Sequence, residues 1–262
     1  MAEGTCKLTG KKGKFVASHL IPKALTRPAV SGAPLIQFGS GRKPTRRWDS
    51  WYDRNLVIRE GEDILTDLDT WAITELRKHR LVWSGWGPMT MLKDDHDTLN
   101  GTPWGIRRIK TIDTQRLRLF FLSLLWRAAA TSRPEFSEIV MPPEDLERLR
   151  LMILQGTSEP LSFYPIALIQ LSTVGEIHNQ TPLADAKRVP ATGDEPERLI
   201  PIFRFYLDGL IAHIHRQTTD DGYADRLGPL ILGSSNEVVI STVTFERSFQ
   251  LENFLTVLSE SL

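Results

Sequence analysis

The order of hydrophobic patterns along the chain predicts an α+β fold. Apolar residues at helical 3–4 spacing are concentrated in the middle of the chain, and strand-like apolar runs, two of them joined by Asp208-Gly209, in the carboxy-terminal part. Near the amino terminus a Gly/Lys-rich turn leads into a short apolar strand. Helices and strands segregated in this way pack as α+β rather than alternating around a parallel sheet. Three regions follow: residues 1–67, a hairpin-and-helix module with a basic loop; residues 68–156, helical; and residues 157–262, an antiparallel sheet with helices.

Each element has a local cause. Gly10 to Lys14 forms the turn, Phe15 and Val16 the strand, and His19 falls where that strand gives way to a helix start. Residues 27–47 are rich in Pro, Gly, Ser and Arg, which predicts a loop. Leu68, Trp71, Ala72 and Leu76 predict a helix over 67–80, with acids early and Arg77, Lys78 and Arg80 late, as the helix dipole favours. Leu117, Phe120, Phe121, Leu124, Leu125 and Ala128 predict a centrally buried helix over 113–131, with Asp113 and Thr114 as caps. Residues 142–155 predict a third helix, opened by prolines and acids and closed by Gly156.

Strands follow at 163–171 and 237–245, and 200–207 with 210–215 reads as a hairpin because Asp-Gly suits a type I′ turn. The polar stretch 179–198 has no periodicity and predicts a loop, and a terminal helix is expected over 247–258. Trp48, Trp51, Trp71, Trp83, Trp86 and Trp104 are expected mainly in the core, with base stacking as the alternative for such aromatics.

Composition narrows the class. A chain of 262 residues, 41% hydrophobic and 24% charged, can bury a sizeable core. One cysteine excludes a disulfide framework. Residues 1–14 are polar and basic, unlike a secretory signal, and the apolar run 117–130 is broken by Arg118 and Arg127 and too short to span a bilayer. The expectation is a cytoplasmic protein without a membrane partner. The formal net charge of zero hides an asymmetry: between residues 7 and 47 lie ten Lys or Arg and no Asp or Glu. An unneutralised block of this kind is the footprint of a polyanion partner. Lys11, Lys12, Lys14, Lys23, Arg27, Arg42, Lys43, Arg46 and Arg47 are the candidate DNA contacts.

One motif carries chemistry. Ser18-His19 ends an apolar strand, and Asn55-Leu56-Val57 begins 36 residues beyond His19. Over residues 5–67 this resembles the ββα-metal core of HNH nucleases. The resemblance implies a metal-dependent DNA endonuclease in which His19 acts as general base on water and Asn55 orients the imidazole or fastens the loop. A divalent ion, Mg²⁺ or Mn²⁺, would hold the scissile phosphate. A neutral imidazole, with an ordinary pKa of about 6.5, suits proton abstraction at neutral pH.

The sequence departs from that family in three places. Cys6-Lys7-Leu8-Thr9 replaces Cys-x-x-Cys and no cysteine follows Asn55, so no structural zinc is expected. Ser18 stands where the family usually has Asp, Glu or His, and the usual last ligand has no match. Glu62, Asp63 and Asp67, in an acidic run that also holds Glu60, are the candidate metal ligands. The alternative is a catalytically inactive HNH-like module that binds nucleic acid or protein; in the nuclease reading the carboxy-terminal half, residues 157–262, is a candidate surface for a protein partner. By analogy alone, an HNH-type endonuclease with an added α+β region resembles effectors of bacterial anti-phage or mobile-element systems.

Two other groups were weighed as metal sites, Asp94-Asp95-His96-Asp97 and the alternating pair His213 and His215, the latter expected on a half-exposed strand face. No P-loop, Rossmann fingerprint, HExxH or Gly-x-Ser-x-Gly is present, and Gly39-Ser40-Gly41 is too short for a phosphate loop.

Overall fold

Hydrogen bonding at the amino terminus starts from a tight turn. In the computed structural model, β1 (Glu3–Thr5) and β2 (Lys12–Lys14) pair antiparallel. Between them the Gly10 N–H donates to the Cys6 carbonyl at 2.9 Å, and the Thr9 N–H points at Cys6 Sγ at 3.4 Å. Gly10 has φ 73, which a side chain would strain. The structure describes residues 2–26, 32–39, 42–93, 96–176, 179–189, 191, 193, 196–216 and 227–261. Arg27, Asp94 and Asp95 lie outside the described residues, as does the side chain of Arg42.

The segment before the first helix lies along this turn: the Lys7 N–H donates to Leu56 and the Val16 N–H to Val57. β3 (Ser18–His19) pairs antiparallel with β6 (Tyr52–Asp53), and α1 (Arg59–Lys78) follows. The helix begins eight residues earlier than the sequence pattern indicates, because Gly61 and Leu65 continue its buried stripe. At Gly61 an added Cβ would stand 2.9 Å from Cys6 Sγ and 3.1 Å from Val57 Cβ. Glycine therefore lets the first turn of α1 sit directly on the amino-terminal turn. Cys6 and Leu8 are buried there, so apolar packing holds this turn against α1.

The expected loops 27–47 and 179–198 both contain strands. β4 (Leu35–Gly39) and β5 (Arg42–Arg47) form a hairpin that β10 (Asn179–Gln180) extends in parallel. β5 is the edge strand, where Pro44 and its cations are tolerated. β11 (Leu183–Val189) escaped the hydrophobic pattern because two of its inward-facing residues, Asp185 and Lys187, are charged.

The helices expected from periodicity are present. α2 (Thr114–Ala130) starts at Asp113, whose carboxylate accepts from the Arg116 N–H at 2.9 Å. α3 (Pro143–Gln155) ends at Gly156 with φ 68. α2 is buried nearly all round, Arg118 included; its guanidinium donates to the carbonyls of Ser158, Pro160, Leu161, Phe163 and Tyr164. Burial lowers the Arg118 pKa to about 10, still high enough to keep the charge at neutral pH.

The main sheet has seven strands. These are β7 (Asp97–Thr98), β8 (Trp104–Ile109), β9 (Ile166–Leu171), β11, β12 (Arg198–Leu207), β13 (Leu210–His215) and β14 (Val238–Val243). Their order is β11-β12-β13-β9-β14-β8-β7, antiparallel except for β9 with β14. Asp208 (φ 52) and Gly209 (φ 86) make the expected primed turn between β12 and β13. The last helix, α4 (Phe249–Ser261), follows β14.

The fold is α+β, with the helices in the middle and the sheet drawing β7 and β8 from that helical region. The 67/68 boundary falls inside α1, and one hydrophobic cluster runs from Cys6 through α2 to Ile240. A second cluster on the sheet includes Trp83, Trp86, Tyr206 and Phe245. Among the described residues no helix is long and apolar enough to cross a membrane.

Candidate active site

The β3–β6 hairpin places Ser18 inward and His19 half-buried, with Ser18 opposite Asp53 and His19 opposite Tyr52. Arg127 of α2, 1% exposed, holds this strand from beneath. Its Nη1 donates to the His19 carbonyl at 3.2 Å, and its two Nη atoms grip the Asp69 carboxylate of α1 at 2.9 and 2.5 Å. Asp53 fastens the following turn by accepting from the Asn55 N–H at 2.7 Å and from the Thr131 hydroxyl at 2.5 Å. The loop-fastening role expected of the Asn55 amide therefore falls to Asp53, while the Asn55 side chain is exposed.

Two carboxylates neighbour the imidazole. Asp49 Oδ1 lies 3.6 Å from His19 Nε2 and 3.1 Å from Lys23 Nζ. Burial pushes the Asp49 carboxyl up, but Lys23, the Ser50 N–H and His19 together hold it below the ordinary carboxylate range. Glu62, in the first turn of α1, lies near Ser18 and within electrostatic reach of His19. Burial raises its pKa, with the Asp69 charge adding, against the lowering influence of Ser18, Arg127 and His19. Ser18 Oγ, His19 Nε2 and Glu62 Oε2 are all buried, and none closes a regular hydrogen bond. An imidazole, a carboxylate and a hydroxyl thus share one cluster with unspent hydrogen-bonding capacity.

The other predicted ligands point elsewhere. Asp63 lies near Arg59 at 3.9 Å, and Asp67 pairs with Arg116 at 2.8 Å, their side chains 66% and 78% exposed. Helical geometry explains the split, since Glu62 and Asp69 are two turns apart on one face while Asp63 and Asp67 are rotated away. Among the described residues no group of three His, Cys, Asp or Glu is arranged to hold a metal ion. Mg²⁺ commonly takes only one or two carboxylates and completes its shell with water and substrate phosphate, so Glu62 with the Ser18 hydroxyl fits that limited demand.

The basic block is partly neutralised by the fold. Lys11 pairs with Glu60 at 2.7 Å, Lys23 with Asp49, and Arg47 with Glu135 at 2.9 Å. Lys12, Lys14, Lys43 and Arg46 are exposed, with no ion pair among the described residues. Trp51, Trp83 and Trp86 are buried as expected, and Trp71 and Trp104 are half-buried. Trp48 is the exception at 75% exposed, directly after Arg46 and Arg47 and one residue before Asp49.

The two other metal candidates separate. Asp97 is exposed on β7 and His96 is half-buried. His213 and His215 are buried rather than half-exposed, because β13 lies inside the sheet and α4 packs over that face. His213 Nε2 accepts from Arg204 Nε at 3.0 Å, and burial, reinforced by Arg204, keeps that imidazole neutral.

Sequence reasoning missed Asp49, Asp53, Asp69 and Arg127. Only Arg127 carried a signal: a cation interrupting an all-apolar helix must find a charge partner when buried. Compared with protein-family models, with curated proteins and with solved structures, the chain matches none.

Proposed function

We propose that the chain is a metal-dependent DNA endonuclease of HNH type acting in the cytoplasm, with His19 as general base. The observation that carries this reading is the convergence of two buried oxygens without a regular hydrogen bond, Ser18 Oγ and Glu62 Oε2, near His19 at the β3–β6 pair. In this reading Asp49, 3.6 Å from Nε2, orients the His19 imidazole. Arg127 keeps the His19 backbone in place. Glu62 and Ser18 would hold Mg²⁺ or Mn²⁺, which supplies charge neutralisation at the phosphate when bound. Lys12, Lys14, Lys43 and Arg46 would contact DNA phosphates, and Trp48 offers an exposed ring on which an unpaired base can stack.

The test is nicking or cutting of supercoiled plasmid with Mg²⁺ or Mn²⁺. His19→Ala should lose roughly 10²–10⁴-fold in rate while keeping the wild-type circular dichroism spectrum. Equal activity of wild type and His19→Ala would sink the proposal. A second reading is a non-catalytic nucleic-acid-binding module, favoured by the lack of a three-ligand cluster among the described residues. Wild type that binds DNA but cuts neither single- nor double-stranded substrate with either metal would select it.

A further inference from the structure

The inward face of β11, β12 and β13, opposite α4, is polar where a sheet interior is normally apolar. Arg204 and His213 are 3% and 1% exposed on this face, and Asp185 and Lys187 lie beside them on β11. Together with α4 they enclose a pocket of about 450 Å³, within the range of small-molecule sites. Its lining combines aliphatic side chains such as Ile169 and Leu230 with the polar Lys187, Arg204 and His213 and the carboxylates Asp185 and Glu252.

Most of this polarity is internally satisfied. Arg204 donates to His213, to Asn253 Oδ1 at 3.1 Å and to Asp185 Oδ2 at 2.6 Å, with its guanidinium over the Phe249 ring at 4.5 Å. The Arg204 charge is therefore answered by Asp185. Lys187 is not: half-buried, it has no carboxylate partner among the described residues. A cation taken out of water without a counter-charge is costly, and burial accordingly lowers the Lys187 pKa. A bound anion would remove that cost.

We propose that this pocket binds a small organic anion, with the carboxylate or phosphate group received by Lys187 and an apolar or aromatic body seated against Ile169 and Leu230. The site is on the sheet, apart from the His19 cluster, and stands whether or not the chain is a nuclease. Arg204 and His213 act as fixed polar walls of the pocket; Lys187 is the charge that selects the ligand.

The experiment is calorimetric titration of the full chain with 2-naphthoate, 2-naphthyl phosphate and the uncharged 2-naphthylmethanol. Wild type should prefer at least one anion over the alcohol by about tenfold or more, and the tighter of the two identifies the headgroup; equal affinity would assign recognition to charge alone. Lys187→Met keeps the stem and removes the charge, so it should fold and lose that preference without weakening the alcohol. Lys187→Arg should retain most of it. Wild type that binds neither anion, or binds anion and alcohol equally, would overturn the proposal, as would a preference that survives in Lys187→Met.

Discussion

Removing Asp69 should expose how much of the fold is tied to the Arg127 clamp. The Arg127 side chain is 1% exposed and that of Asp69 16%, and the pair joins α1, α2 and the strand carrying His19. Deleting one partner of a buried pair costs about 3–5 kcal/mol, because the remaining charge keeps its desolvation penalty without its counter-ion. Asp69→Ala should therefore lower the melting temperature by roughly 6–20 °C, taking about 2–4 °C per kcal/mol for a chain of this size. Arg127→Met should cost a comparable amount, since it leaves the Asp69 carboxylate and the His19 carbonyl unanswered. The double variant Arg127→Met with Asp69→Ala removes both charges and should recover much of the loss. Thermal and urea unfolding followed by circular dichroism would measure all four proteins. Additive losses in the double variant, or a cost under about 1 kcal/mol for Asp69→Ala, would refute the reasoning by showing that water already screens the pair.

Four further outcomes follow from the same geometry. Glu62 has a raised pKa in the folded state, so its ionisation opposes folding above the unfolded carboxyl value. Glu62→Gln should accordingly stabilise the protein at pH 7.5, with the gain shrinking to nothing below about pH 4, where both states are protonated; a pH series of melting temperatures checks the sign. DNA affinity should fall with salt at a log–log slope near −4, for about four phosphate contacts by Lys12, Lys14, Lys43 and Arg46, and Lys43→Glu with Arg46→Glu should flatten it. Chelation should leave the melting temperature unchanged. Gly61→Ala should cost about 1–3 kcal/mol by overpacking against Cys6, and adding Cys6→Ala should return part of that loss.

Local chemistry determined a large part of this protein. α2, α3 and the β12–β13 hairpin were legible because apolar spacing, an Asp cap, a terminal glycine and an Asp-Gly turn act within a few residues of one another. The basic amino-terminal block and the histidine ending a short strand were legible for the same reason. β4, β5 and β11 were not: an edge strand tolerates Pro44, and the inward charge of Asp185 is answered only across the sheet, by Arg204, while Lys187 has no counter-charge among the described residues. The candidate site shows the division most plainly. Helical periodicity separates Glu62 from Asp63 by about 100° but does not say which of them meets His19. Docking of α1 under the β3–β6 hairpin, allowed by Gly61 and tied by an Arg127 lying 108 positions beyond His19, decided that Glu62 faces inward. Asp49 comes to His19 by the same hairpin closure, which pairs two strands separated by the whole β4–β5 excursion. Contacts of that range are set by which buried surfaces fit together, a property of the packed chain and not of any segment.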